Sequence, residues 1–175
     1  MTPSMHTRRL LGIDPGLTAT GWGIVDVSGS RLVHVANGTV TSRARDPMAA
    51  RLSALHDGLT GVLKTHAPQE AAIESVFVNK DGQATLKLGQ ARGVAILVAA
   101  QAGLDVAEYA PNHIKKSVVG AGHADKRQMA AMVTMLLPNC TPHSEHSVDA
   151  LAVAITHAHG SAGAARVAAA LGDVR

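Results

Sequence analysis

Apolar residues run along this chain in two rhythms: short blocks broken by turn residues up to residue 40, then mostly recurrences at helical spacing. Leu10, Leu11 and Ile13 predict a strand over 8–14, stopped by Pro15-Gly16. Strands follow over 20–27 and 31–40, and the turn Ser28-Gly29-Ser30 between them makes the first three strands an antiparallel meander. Asp46 then reads as an N-cap with Pro47 in the first helical position, and Leu52, Leu55, Leu59, Val62 and Leu63 carry the helix to His66-Ala67-Pro68. A strand over 71–74 is too short for an independent edge and belongs inside the sheet. A helix over 83–102 stops at Gly103, a strand covers 104–109, and a short helix starts at Pro111. Beyond Gly120-Ala121-Gly122, the residues Met129, Met132, Val133, Leu136 and Leu137 mark a helix over 125–137. Ser144 caps a last helix that runs to His157. Three strands followed by alternating helix and strand predict an α/β fold, a mixed five-stranded sheet with helices packed on its faces.

Residues 1–7 read as a flexible polar leader, 8–158 as a single domain, and the Ala-rich 159–175 as a frayed tail. Of 175 residues, 46% are apolar and 17% charged, a balance that excludes disorder as the main state. Trp22, Phe77 and Tyr109 are the only aromatics, so the core is built from Ala, Val, Leu and Ile. The single Cys140 excludes an intramolecular disulfide and a thiol-rich metal site. It fits a reducing compartment. No h-region precedes Asp14, and the longest apolar run falls far short of a membrane span, so a soluble, cytoplasmic protein with no membrane contact is expected. The net charge of +3 permits an anionic partner without demanding one.

Three acids stand where acids are costly. Asp14 ends the first apolar strand, Glu74 ends the fourth, and Asp149 directly precedes the apolar run from Ala150 to Ile155. Carboxylates are seldom buried unless paired or coordinating. If the first and fourth strands are neighbours, Asp14 and Glu74 meet, and three converging carboxylates push their pKa values up unless a Mg²⁺ or Mn²⁺ ion joins them. Taken singly, Asp14 also reads as a turn carboxylate bonded near Gly16, and Glu74 as a half-exposed strand-end acid. His146 lies three residues before Asp149, on the same helix face, where it can ligate a metal, orient a water or act as a general base. It also reads as a solvated histidine beside His143. Glu145 is a competing ligand, and Cys140 with His143 or His146 is a weaker arrangement, a thiol nucleophile.

Five segments give the chain a family resemblance. Leu11-Gly12-Ile13-Asp14-Pro15-Gly16 with Thr20-Gly21-Trp22-Gly23 resembles the opening of the RuvC family, the bacterial Holliday-junction endonucleases. Ala72-Ile73-Glu74-Ser75-Val76-Phe77 is similar to the family's second acidic segment, and 86–94 to its long-helix motif. Lys115-Lys116-Ser117-Val118-Val119-Gly120 and 149–157 complete an ordered series. The resemblance implies a ribonuclease H-like fold with helices on both faces of the sheet, a homodimer, and metal-dependent symmetric nicking of a four-way DNA junction during recombination and repair. The ends left would be 5′-phosphate and 3′-hydroxyl. It places Asp14, Glu74 and Asp149 in the acidic metal-binding positions and puts His146 where many members carry another aspartate, a less negative site that favours Mn²⁺. Two Mg²⁺ or Mn²⁺ ions held there, with Asp14 bridging, would activate water and stabilise the leaving 3′-oxygen. RuvA and RuvB are the implied branch-migration partners.

Lys80, Lys87, Arg92, Lys115 and Lys126 supply candidate phosphate contacts, with Lys115 and Lys126 matching family positions near the scissile phosphate. Solvated helix faces are the plainer account of the same charges. Phe77, three residues past Glu74, is a candidate wedge into unpaired bases at the junction centre. The helix bearing Leu86, Gly89, Gln90, Gly93, Ala95 and Ile96 is the candidate dimer face, unless it simply packs in the core. Gly12-Ile13-Asp14-Pro15-Gly16 also resembles the first phosphate loop of actin-like and sugar-kinase ATPases, but the chain lacks a second lobe and a second Gly-rich loop. Two further readings remain: a related ribonuclease H-like nuclease acting on other structured nucleic acid, and a non-catalytic junction-binding module.

Overall fold

Strands β1 (Arg8–Asp14), β2 (Ala19–Ser28) and β3 (Arg31–Thr41) form the expected antiparallel meander. The chain then crosses through α1 (Met48–His66) to β4 (Glu70–Glu74), which pairs in parallel with β1, and through α2 (Gly82–Gln101) to β5 (Val106–Tyr109), parallel to β4. Helices α3 (Pro111–Val119), α4 (Lys126–Leu136) and α5 (Glu145–Gly172) complete a sheet of order β3-β2-β1-β4-β5. The computed structural model describes residues 6–76 and 80–161 in full and the backbone of 162–172. Residues 1–5 of the leader, Phe77 and the last three residues of the tail lie outside the described residues.

Helices cover both faces. On one, Leu11, Ile13, Ile24 and Ile73 pack against Leu59 and Leu63 of α1 and Ala95 and Val98 of α2. On the other, Leu10, Val25 and Ala72 pack against α3, α4 and α5 through Ile114, Val133, Leu151 and Ile155. Helix α5 lies directly on β1 and β2 because glycines make room for it. A Cβ on Gly12 would stand 2.0 Å from Ala150 O, and one on Gly21 only 1.9 Å from His146 O. Native packing leaves no slack for an added methyl at such positions.

Local differences from the sequence reading have local causes. Asp46 does not cap α1; its N–H donates to Arg43 O at 3.1 Å in a turn, and Pro47 takes the N-cap position with no side-chain cap. Asp81 instead caps α2, accepting from Gln83 and Ala84 N–H at 3.0 and 3.1 Å. Asp125 caps α4 as expected, and Ser144 caps α5 reciprocally with Ser147, at 3.1 Å and 2.9 Å. Helix α5 continues past His157 to Gly172, as the strong helix propensity of its alanines allows. Glu70 is held on both oxygens: Arg8 donates to Oε1 at 2.6 Å and His157 Nε2 lies 2.9 Å from Oε2. Since a carboxylate only accepts, His157 donates through Nε2, and its Nδ1 accepts from the Tyr109 hydroxyl at 2.8 Å. The Tyr109 hydroxyl is therefore bonded within the protein.

Candidate active site

Register brings the first two acids together. Ile13 pairs with Ile73 across the parallel β1–β4 ladder, so the next residues, Asp14 and Glu74, end adjacent strands at the same edge of the sheet. The close seat of α5 over Gly12 and Gly21 brings the first turns of that helix, with His146 and Asp149, to the same edge. Asp14 is not consumed in its own turn. Thr20 closes that turn, its hydroxyl donating to Gly16 O at 2.7 Å and accepting from Gly16 N–H at 3.2 Å. The Asp14 carboxylate, 16% exposed, instead meets His146, with Nδ1 to Oδ2 at 2.9 Å. An ionised carboxylate accepts only, so the ring proton belongs on Nδ1 and the Nε2 lone pair is left free.

The electrostatics are those of acids forced together. Burial, then the charges of Asp14 and Asp149, push Glu74 from 4.5 up to about 7, against a smaller pull from Lys115. Burial and Asp14 raise Asp149 from 3.8 to about 6, while Lys126 and His146 oppose the shift. Burial also raises Asp14, opposed by its hydrogen bond to His146. Among the described residues no three His, Cys, Asp or Glu side chains stand close enough to form a ready-made metal cage. The three carboxylates are coupled by charge rather than by contact. Even so, the donor chemistry fits a hard divalent cation: the set is all oxygen, and an ion's charge offsets the repulsion that raises two of its pKa values.

Those shifts set a pH dependence. Because the folded protein holds the Glu74 and Asp149 protons more tightly than the unfolded chain, N binds more protons than U between the ordinary values of 4.5 and 3.8 and the raised values of about 7 and about 6. Stability of chelator-treated protein is therefore expected to fall as pH rises through this window and to level off above it. Added Mg²⁺ or Mn²⁺ should raise the melting temperature more at pH 8 than at pH 5. A melting profile flat across the window, unchanged by either ion, would contradict a self-repelling cluster.

Glu74 and Asp149 open onto a cleft of about 450 Å³ whose other walls include Lys115, Lys126, Ile114 and Met129. Lys126 reaches Glu145 at 2.6 Å, with both side chains about three-quarters exposed, so Glu145 is a partner of the lysine and not a member of the carboxylate set. Lys80, just before the N-cap of α2, and Lys87, in its second turn, are exposed, with no bond to the cluster. Arg92 is held elsewhere: it pairs with Glu108 and donates through Nε to Glu74 O at 3.3 Å, bracing the end of β4. Of the candidate dimer face, Leu86, Gly89, Gln90 and Gly93 are exposed, whereas Ala95 is 1% exposed and packs in the core. Cys140 is buried in the other core layer, and burial pushes its thiol up, so it is no nucleophile. Arg51 escaped the sequence reading. It donates to Ser42 Oγ at 3.0 Å and Thr18 Oγ1 at 2.9 Å, and an arginine on the polar face of α1 gives no sign of that from its neighbours in sequence.

Comparison with known proteins covers nearly the same span as the fold. A family model described as crossover junction endodeoxyribonuclease RuvC matches residues 10–157. A crossover junction endodeoxyribonuclease RuvC from Parvibaculum lavamentivorans is 63% identical over 161 residues, 92% of each chain. The RuvC of Rhodopseudomonas palustris strain TIE-1 is likewise 63% identical over 161 residues, 92% of each chain. Among solved structures, T. thermophilus RuvC in complex with a Holliday junction substrate matches with a TM-score of 0.83 and 31% identity, covering 90% of this chain and 96% of that one. The yeast mitochondrial Holliday junction resolvase Ydc2, 13% identical with a TM-score of 0.60 over 90% of this chain and 80% of its own, shares the fold. Among the described residues no helix is long and apolar enough to cross a membrane.

Proposed function

The chain belongs to the RuvC family of crossover junction endodeoxyribonucleases, and on that footing we propose how its own residues resolve a four-way DNA junction. Its sheet with helices on both faces is the ribonuclease H-like fold that the motifs implied. The observation that carries the reading is the cluster of Asp14, Glu74 and Asp149 at one sheet edge, with His146 bonded to Asp14. Asp14, Glu74 and Asp149 would hold Mg²⁺ or Mn²⁺, two ions to a site. Bound there, the ions supply charge stabilisation for the displaced phosphodiester and a lowered pKa for water.

The protein's own part is to position and to move a proton. With Nδ1–H directed at Asp14, His146 keeps Nε2 open to receive the proton of an attacking water, which favours proton handling over ligation through Nδ1. Lys115 and Lys126 hold the phosphate, and the exposed pair between Lys126 and Glu145 is weak enough to yield to it. Lys80 and Lys87 extend the contact, and Phe77 wedges the junction centre. The exposed α2 face of Leu86, Gly89, Gln90 and Gly93 mates with a second copy, supplying the two symmetric sites that a two-fold junction requires. Branch migration by RuvA and RuvB is the companion step.

A synthetic mobile four-way junction tests the reading against its neighbours. With Mg²⁺ or Mn²⁺ the protein is expected to make paired symmetric nicks whose ends a ligase reseals, and to leave linear duplex intact. Equal cutting of linear duplex would point to a general ribonuclease H-like nuclease, and binding with no cutting in any metal to a non-catalytic module.

A further inference from the structure

Two arginines outside the cleft hold no partner among the described residues. The Arg43 and Arg45 side chains are exposed, on the loop between β3 and α1, and bond to no other described residue. The loop that carries them is nevertheless fixed. Ser42 N–H donates to Thr18 O at 3.0 Å, and the Ser42 hydroxyl donates to Leu17 O. Arg51 crosses between the two segments, reaching Ser42 Oγ at 3.0 Å and Thr18 Oγ1 at 2.9 Å. Leu17 and Thr18 belong to the turn that begins at Asp14, so the loop is riveted to the turn that presents the cluster's first carboxylate.

Sheet order gives the distance and the side. The end of β3 and the end of β1 lie at the same edge, two strands apart, or about 10 Å at the usual strand spacing. Lys115 and Lys126 wall the cleft from α3 and α4, which pack on one face of the sheet, whereas the Arg43–Arg45 loop leads into α1 on the opposite face. Arg43, Arg45 and Arg51 against Asp46, the loop's one acid, leave that flank positive as well. A polyanionic strand crossing the carboxylates then meets cations on both sides. Free guanidinium groups on a fixed backbone suit phosphate oxygens and lose little entropy in binding them.

We propose that Arg43 and Arg45 form a second phosphate-contact point, on the β3 side of the carboxylate cluster, gripping the DNA backbone opposite Lys115 and Lys126. This rests on the nuclease reading above. The test compares the full chain as wild type, R43A/R45A and R31A/K64A, binding a labelled four-way junction in chelator between 50 and 200 mM salt. Arg31 and Lys64, both exposed, lie at the far end of the sheet, so the second variant removes equal charge from the wrong place. Each lost phosphate contact lowers the log–log salt slope by about 0.9, so the affinity gap between wild type and R43A/R45A should shrink about 12-fold across that range. The R31A/K64A slope should match wild type, and both variants should melt as wild type does. An unchanged slope in R43A/R45A, or an equal drop in R31A/K64A, overturns the proposal. Failure of the wild-type chain to bind or nick junctions would instead remove the nuclease reading itself.

Discussion

Asp14→Asn is expected to abolish junction cleavage, by at least about 10³-fold, while junction binding persists. The substitution keeps the shape of the side chain and its ability to accept from His146, but removes the charge that the other acids and any cation feel. That charge is also a burden to the fold, because it helps to push up the pKa values of both Glu74 and Asp149. The variant is therefore expected to be inactive and, in chelator at pH 8, to melt higher than wild type. Loss of function with a gain in stability is the signature of a group held for chemistry at the expense of the fold. Single-turnover cleavage and thermal melting on the same samples check it; residual nicking near the wild-type rate, or a lowered melting temperature, would return Asp14 to a structural role.

Gly21→Ala is expected to have the largest effect on stability and to reach the site without touching an acid. Its new methyl would stand 1.9 Å from His146 O and 2.9 Å from His146 Cβ, and the first of these is backbone, which cannot swing aside. The start of α5 must lift from the sheet, taking His146 away from Asp14 and Asp149 with it. Overpacking of this kind costs about 3 kcal/mol, or a fall of roughly 6–12 °C in melting temperature for a chain of this size. Below the transition, cleavage should still drop about 100-fold, since catalytic groups displaced by an ångström lose that much. Gly61→Ala, at a helical position with nothing within 4 Å, is the matched control and should stabilise slightly. Equal melting temperatures for the two variants would mean that α5 has room the packing does not show.

Particular residues explain what could be read from the sequence. Asp14 and Glu74 stood out because each ends a short apolar strand, and Asp149 because it heads the most apolar stretch of helix; such positions declare themselves in one dimension. The meander and the mixed five-stranded sheet were legible for the same reason, since a meander followed by strand and helix has few ways to close, while the pairing of β1 with β4 entered only as a condition. What escaped were relations between distant segments. Arg92 carries the same charge as Lys115, yet one is spent on Glu108 and the other faces the cleft. Ala95 shares a helix with Gly93 but faces the opposite way, into the core. The room that Gly12 and Gly21 leave for α5 has no sequence signal at all, because any glycine in a strand looks alike until its neighbour is known. Asp46 misled because a capping residue before proline is a common start, and here a turn to Arg43 moved the start by one.

The placement of α5 also bears on how the protein is made. Two of the three carboxylates are synthesised early, but the third comes 75 residues after Glu74, on the helix that closes one whole face of the sheet. At about 5–20 residues per second that interval lasts roughly 4–15 s. Throughout it, the growing chain has strands β1 to β4 but lacks Asp149. On the proposed assignment of the three acids, a truncated or stalled product would lack the power to nick. Activity would then arrive only with the docking of the last helix, and the order of synthesis would itself keep unfinished copies harmless.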